Sequence, residues 1–157
     1  MKKLTKGLSC VLVLMMVISS LAAVSLADEI PSYSVLDGTY VRFLGRGEVT
    51  DEGRTMNWPM SGIEFQFTGT KAEVQVVTSD KDDKSRARFN VSVDGGEPVR
   101  MMMYTGWNTI CEGLEDGPHT VKFVRSSEGV DSKLSMTAIR TDSESAPSPT
   151  PEKGRKI

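Results

Sequence analysis

The stretch Gly62-Ile63-Glu64-Phe65-Gln66-Phe67-Thr68-Gly69-Thr70 decides the fold class. Its apolar residues, at positions 63, 65 and 67, alternate with the polar residues at 64, 66 and 68. This period of two is typical of a β-strand with one buried face. The Thr-Gly-Thr that follows is a turn signal. We therefore expect a strand that directs Phe65 into a core.

The same alternation recurs along the chain and indicates further strands of this kind. The apolar positions are Ala72, Val74 and Val76; Phe89, Val91 and Val93; Val121 and Phe123; and Leu134, Met136 and Ala138. Turn signals lie between them, at 37–38, 94–96 and 116–118. No segment after position 27 carries a helical period of useful length. The pattern predicts an all-β, antiparallel sandwich over residues 28–142.

The N-terminus has the pattern of a secretory signal peptide. Three lysines in the first six residues precede an apolar run from position 8 to position 24, and small residues follow up to Ala27. This order predicts a signal peptide over residues 1–27 and a secreted, extracellular protein. An uncleaved anchor is the rival interpretation, but the run has about the minimum length for a membrane span. We expect no stable membrane insertion after cleavage.

Cleavage would change both the charge and the cysteine content of the chain. The three lysines leave with the signal peptide, so that 16 basic and 21 acidic side chains remain, a net charge of −5. A negative domain is a poor partner for polyanions, which argues against nucleic acid. Cys10 also leaves, and Cys111 alone cannot form an intrachain disulfide. An unpaired cysteine in an exported chain favours a bacterial source.

The composition changes after Arg140. Residues 143–154 are rich in Ser, Thr and Pro, with Pro147, Pro149 and Pro151 at alternate positions. Such a segment is typical of an extended, semi-rigid linker, and a disordered tail is the alternative.

Five stretches, taken in order and spacing, resemble the N-terminal β-sandwich, or jelly-roll, domain of carbohydrate esterase family 2. They are Arg42-Phe-Leu-Gly-Arg46, Trp58-Pro-Met-Ser-Gly-Ile-Glu-Phe-Gln-Phe-Thr-Gly-Thr70, Val91-Ser-Val-Asp-Gly-Gly96, Gly113-Leu-Glu-Asp-Gly-Pro-His-Thr-Val121 and Val124-Arg-Ser-Ser-Glu128. The resemblance covers residues 40 to 140, nearly all of the expected globular part. It implies the same sandwich fold that the alternation predicts.

The resemblance also implies a second, catalytic domain and an esterase activity of the whole enzyme. In that family a linker leads to an SGNH-type hydrolase domain with a Gly-Asp-Ser nucleophile motif, and the whole enzyme removes acetyl esters from plant polysaccharides such as xylan. Residues 155–157, Arg-Lys-Ile, resemble the start of that domain, which would be the partner in cis. The function predicted for this chain is a non-catalytic N-terminal accessory domain of a secreted carbohydrate esterase. An independent carbohydrate-binding module is the alternative, and a sandwich with no separate activity is the third interpretation.

Three aromatic residues are candidates for contact with a plant cell-wall polysaccharide. Trp107, Trp58 and Tyr104 lie beside turn signals, where an exposed ring could stack on the apolar face of a sugar. Core filling is the competing interpretation, since large aromatic side chains are mostly buried.

The sequence indicates no catalytic residue, cofactor or metal. His119 is the single histidine, and no serine lies in a Gly-x-Ser-x-Gly or Gly-Asp-Ser context, so we expect local hydrogen bonding from the imidazole. Residues 79–85 contain three aspartates, which could hold calcium, but the interleaved lysines favour a solvated, self-neutralising loop. In the run at 101–103, Met101 and Met103 should share a face opposite to Met102. We expect Cys111 to be a small buried hydrophobe.

Overall fold

The computed structural model describes residues 30–80, 82–128 and 132–152. The predicted signal peptide (1–27) and the predicted start of a hydrolase domain (155–157) lie outside the described residues. Within the described ranges the chain forms β-strands and no helix. This part of the chain accordingly holds no helix with the length and apolar character needed to cross a membrane.

The strands form two antiparallel sheets. The first has the order β3-β4-β11-β6-β9, with β1 also paired to β11. Its strands are β1 (Ser32–Ser34), β3 (Val49–Thr50), β4 (Gly53–Thr55), β6 (Ala72–Thr78), β9 (Gly106–Cys111) and β11 (Leu134–Thr141). The second has the order β12-β5-β10-β7-β8, with β2 also paired to β5. Its strands are β2 (Arg42–Leu44), β5 (Gly62–Gly69), β7 (Arg88–Val93), β8 (Val99–Met102), β10 (Gly117–Arg125) and β12 (Ser148–Pro149).

The two sheets pack face to face, and their inner faces form a single core. Phe65 on β5 is fully buried, as the alternation predicted, and Phe89 on β7 stacks on Phe123 of β10 with ring centroids 4.1 Å apart. The other buried side chains of the core include Ile63, Phe67, Val74, Val76, Val91, Val121, Leu134, Met136 and Ile139. The predicted all-β antiparallel sandwich is confirmed.

Strand β11 departs from the predicted alternation. Its register against β6 shifts between Met136 and Ala138, which marks a β-bulge. A bulge inserts a residue and moves the following side chains to the opposite face. Ala138 is therefore only half-buried, and Ile139 takes its place in the core. The prediction that Ala138 lies on the core face was wrong.

The strands β5 and β10 approach each other closely at Gly62. A Cβ atom at this position would collide with the carbonyl oxygen of Phe123, to which the strand is paired. The glycine is therefore required by the backbone spacing rather than by a positive φ angle.

Part of the segment predicted to be a linker lies on the second sheet. Ser148 and Pro149 pair with Gln66 and Phe65 of β5. The next residue, Thr150, is buried: its hydroxyl accepts a hydrogen bond from Arg42 Nε (2.7 Å) and donates one to Glu64 (2.8 Å). The Arg42 guanidinium also pairs directly with Glu64. Residues 148–150 of this segment are thus attached to the sandwich. The role of the segment as a connection to another domain stays a prediction.

Candidate functional site

A broad cleft lies beside the connection that runs from β2 of the second sheet to β3 of the first sheet. The connection from β2 to β3 forms one wall, and the loop from β4 to β5 forms the other. The cleft has a volume of about 980 Å³ and is lined by Gly45, Arg46, Gly47, Glu48, Thr55, Asn57, Trp58, Pro59 and Glu128. Trp58 keeps 54% of its surface exposed. It is one of the three aromatic candidates from the sequence.

The loop that carries Trp58 is held by many hydrogen bonds. The Ser61 hydroxyl donates to the Trp58 carbonyl oxygen at 2.5 Å, and the Ser61 backbone N–H donates to the same oxygen at 3.0 Å. Met60 adopts a left-handed conformation (φ 66°), and its N–H donates to the Arg125 carbonyl. The Asn57 side-chain oxygen accepts from the Leu134 N–H at 2.9 Å. These contacts fix the backbone of the loop that carries the indole.

A buried arginine supports this loop from beneath. Arg125 is fully buried, and its guanidinium donates to the carbonyl oxygens of Met56, Ser127, Glu128 and Ser132 at 2.7–2.9 Å. Loss of hydration lowers the pKa of Arg125. The carbonyl dipoles take the place of a carboxylate partner, since among the described residues no ion pair involves this side chain. Nothing in the sequence pattern around Arg125 indicated this role.

The cleft carries charged and polar groups around the indole. The Arg46 guanidinium lies over the Trp58 ring, 4.9 Å from its centroid, within the range of a cation–π contact. Within residues 30–80, 82–128 and 132–152, no cation pairs with the carboxylates of Glu48 or Glu128. The lining therefore offers both hydrogen-bond donors and acceptors. Arg46 was quoted in the family resemblance but was not recognised from the sequence as a site residue.

The other two aromatic candidates lie apart from this cleft. Tyr104, in the connection from β8 to β9, is 48% exposed, and the Arg86 guanidinium covers its ring at 4.1 Å. Trp107 on β9 is half-buried and lies under Arg140, 4.2 Å from the ring centroid. Neither lines the cleft that holds Trp58. The structure does not bring the three candidates together.

The single histidine is engaged at both ring nitrogens. His119 Nδ1 lies 2.7 Å from Asp94 Oδ2, and Nε2 lies 2.7 Å from the Glu115 carbonyl oxygen. The hydrogen bond with Asp94 raises the pKa of His119, and the same contact lowers the pKa of Asp94. Ser148 lines the same small cleft, but the ring nitrogen that would have to accept a proton from its hydroxyl faces a carbonyl oxygen instead. The pair resembles two members of a triad without the geometry for nucleophile activation.

The aspartate-rich loop at 79–85 is neutralised by an arginine beyond it. Arg86 pairs with Asp80 and Asp83, each at 2.7 Å, and Asp82 caps the Ser85 N–H at 2.9 Å. The lysines that the sequence suggested are not the partners in these ion pairs. In the part of the chain that the structure describes, no three His, Cys, Asp or Glu side chains converge as metal ligands.

The remaining candidates lie at the opposite edge of the sandwich. Met103 is buried, Met101 packs against the core and Met102 is 41% exposed, so the predicted alternation is confirmed. Cys111 is half-buried rather than buried, and loss of hydration raises the pKa of its thiol to about 11. A thiol with this pKa is a weak nucleophile at neutral pH.

The architecture defines an antiparallel β-sandwich domain with an open, partly polar cleft at one end. A model of the family described as carbohydrate esterase 2 N-terminal matches residues 43–151, and the chain belongs to that family. The match includes the cleft walls, Trp58 and the anchored strand β12. No curated protein sequence matched the chain significantly.

Several solved structures share the fold. A carbohydrate esterase family 2 enzyme plus carbohydrate binding domain from Corynascus thermopiles (Myceliophthora fergusii) is 31% identical, with a TM-score of 0.59 over 71% of this chain and 32% of that one. A family two carbohydrate esterase from Cellvibrio japonicus is 15% identical, with a TM-score of 0.66 over 79% of this chain and 36% of that one. An acetyl xylan esterase from the rumen bacterium Butyrivibrio proteoclasticus is 18% identical, with a TM-score of 0.65 over 80% and 35%. The chain thus spans about a third of the length of these enzymes.

Proposed function

We propose that this chain is the non-catalytic N-terminal accessory domain of a secreted carbohydrate esterase. In this proposal an SGNH-type hydrolase domain follows in cis and removes acetyl groups from plant polysaccharides such as xylan. One observation carries the proposal: the family match spans nearly the whole sandwich, while the sandwich corresponds to only about a third of related solved esterases. The remaining two thirds of those enzymes would be supplied by the domain that follows.

The chemistry of the described residues supports a non-catalytic role. A hydrolytic site needs a nucleophile beside a base that can accept its proton. Both nitrogens of His119 already face acceptor atoms, and the imidazolium form satisfies both contacts at once. The residue is therefore better suited to tie β10 to the turn at Asp94 than to act as a general base.

The course of the C-terminal segment supports a following domain. Thr150, held between Arg42 and Glu64, lies at the edge formed by β2 and β12. That edge adjoins β4 of the other sheet, because Arg54 lies over the Phe43 ring at 3.6 Å. Large apolar side chains are exposed at Leu36, at Val49 on β3 and at Met60 in the loop before β5. An exposed apolar surface beside the outgoing chain is suited to contact with a neighbouring domain.

The coding sequence downstream of position 157 tests this proposal. We expect an open reading frame that continues into a strand followed by a Gly-Asp-Ser motif. A stop codon directly after position 157 would contradict the arrangement in cis. The result is independent of any sugar binding by the sandwich itself.

A further inference from the structure

We propose that the cleft around Trp58 is a binding site for a neutral polysaccharide chain. In this site the indole stacks on the apolar face of a pyranose ring, and the polar cleft walls bind its hydroxyl groups. The inference goes beyond the accessory role, since an accessory domain need not hold sugar. It assigns a role to Trp58, one of the three aromatic candidates, and assigns none to the other two.

The first support is an exposed aromatic ring on a rigid loop. Trp58 keeps 54% of its surface open, although a tryptophan usually gains free energy by burial. The backbone that carries it is fixed by Ser61 and by the contacts of Met60 and Asn57. A preformed platform loses little conformational entropy when a ligand binds. Core packing therefore does not explain the presence of a tryptophan at this position.

The second support is the chemistry of the walls. Arg46, Asn57, Glu48 and Glu128 line the cleft together with Trp58, and the Arg46 guanidinium lies over the indole. Ligand sites typically combine an apolar surface with a few convergent polar groups. Sugar hydroxyls both donate and accept hydrogen bonds, which matches this mixture of guanidinium, amide and carboxylate. A purely apolar protein surface bound at this cleft would exclude water from these polar groups and offer them no hydrogen-bond partners.

The charge of the walls restricts the class of sugar. One guanidinium and two carboxylates line the cleft, so its net charge is negative. A uronic-acid polymer would bring further carboxylates against Glu48 and Glu128 and would be repelled. Neutral chains whose pyranose units present a flat apolar face, such as β-1,4-linked xylose or glucose, carry no such penalty.

The other aromatic candidates lack this arrangement. An arginine lies over each of the three rings, at 4.1 Å for Tyr104, 4.2 Å for Trp107 and 4.9 Å for Trp58. What separates Trp58 from the other two is that it lines the cleft. Glu73 accepts a hydrogen bond from Arg140 at 2.5 Å and holds that guanidinium on the Trp107 ring. Tyr104 is nevertheless nearly as exposed as Trp58, which makes it a matched control.

Isothermal titration calorimetry on the purified chain tests the proposal. The ligands are xylohexaose, cellohexaose and, as the charged comparison, a hexamer of galacturonic acid. We expect the chain to bind at least one neutral hexamer and to bind the acidic one more weakly. Trp58→Ala should lower the affinity at least about tenfold, Trp58→Phe should restore part of it, and Tyr104→Ala should leave it unchanged.

No heat of binding with either neutral hexamer, or an equal loss of affinity in Trp58→Ala and Tyr104→Ala, would refute a site at this cleft. Thermal melts of the variants confirm that each remains folded, as expected for substitutions at exposed rings. If sugar binding fails while the reading frame continues into a hydrolase domain, the sugar site is refuted and the accessory role stands.

Discussion

The buried arginine Arg125 joins the two loops that support Trp58. Its guanidinium reaches four backbone carbonyls, in the connection after β4 and in the connection after β10. Each carbonyl is an acceptor that would otherwise need water or another donor. The backbone of the loop that carries the exposed indole is therefore held by a side chain that is fully buried.

Replacing this arginine should destabilise the whole domain. In Arg125→Met the guanidinium is lost while its volume is roughly kept, so the carbonyls of Met56 and Ser132 lose their donors. We expect a loss of about 3 kcal/mol in the free energy of unfolding, measured by urea denaturation. Arg100→Met, at an exposed position on β8, is the control and should change stability by less than about 0.5 kcal/mol. Similar effects of both variants would show that the buried hydrogen bonds contribute nothing.

The pair of His119 and Asp94 should make stability depend on pH. The pKa of His119 is raised in the folded state, mainly by the hydrogen bond with Asp94. Its contribution is then fully present below the unfolded-state pKa of about 6.5 and is lost as the pH rises through the higher folded-state pKa. His119→Gln should lower the melting temperature more at pH 5.5 than at pH 8.5. An identical loss at both pH values would show that the ring contributes only through packing.

Among the strands of the second sheet, β5 has the most partners. It pairs with β10 on one side and with both β2 and β12 on the other. Its inward face contributes Phe65 to the core, and its outward face contributes Glu64 to the contact with Thr150. One strand thus links the core to the anchored C-terminal segment.

Truncating the inward face of β5 should cost far more than truncating its outward face. Phe65→Ala removes a fully buried ring, and we expect a loss of about 3–5 kcal/mol. Gln66→Ala, at the exposed neighbouring position, should cost less than about 0.5 kcal/mol. Chemical denaturation of both variants measures the difference. A melting shift near zero for Phe65→Ala would contradict the assignment of the core face.

The anchor of β12 can be tested separately from the core. Thr150→Val keeps the shape of the side chain but removes the hydroxyl that bridges Arg42 and Glu64. We expect a loss of about 2 kcal/mol, since hydrogen bonds to charged groups are the stronger ones. Ser148→Ala, exposed on the same strand, is the control and should be nearly neutral. Equal stability of the two variants would indicate that the segment is not held by this cluster.

Period-two alternation predicted the core strands because a strand with one buried face needs an apolar residue at every second position. It misplaced Ala138, since a bulge is a property of backbone pairing that no residue pattern signalled there. It also gave no indication of β12, because prolines favour a linker and the attachment depends on residues more than 80 positions away. The cleft was predictable only in part: Trp58 was a candidate, but its exposure and the role of Arg125 follow from tertiary packing.

For the whole molecule, the cleft and the outgoing chain lie on the same side of the sandwich. Thr150 contacts Arg42, and the cleft wall begins at Gly45, directly after the same short strand β2. A hydrolase domain that follows the linker would therefore begin near the cleft. In the proposed enzyme, a polysaccharide held at Trp58 would be close to the domain that acts on it.

The central claim is that this sandwich serves a carbohydrate esterase without being catalytic itself. The most direct measurement is acetate release from 4-nitrophenyl acetate and from acetylated xylan by the purified chain. We predict a rate equal to the buffer blank, unchanged in His119→Ala. Turnover above the blank that disappears in His119→Ala would show that the domain is an enzyme in its own right and would contradict the claim.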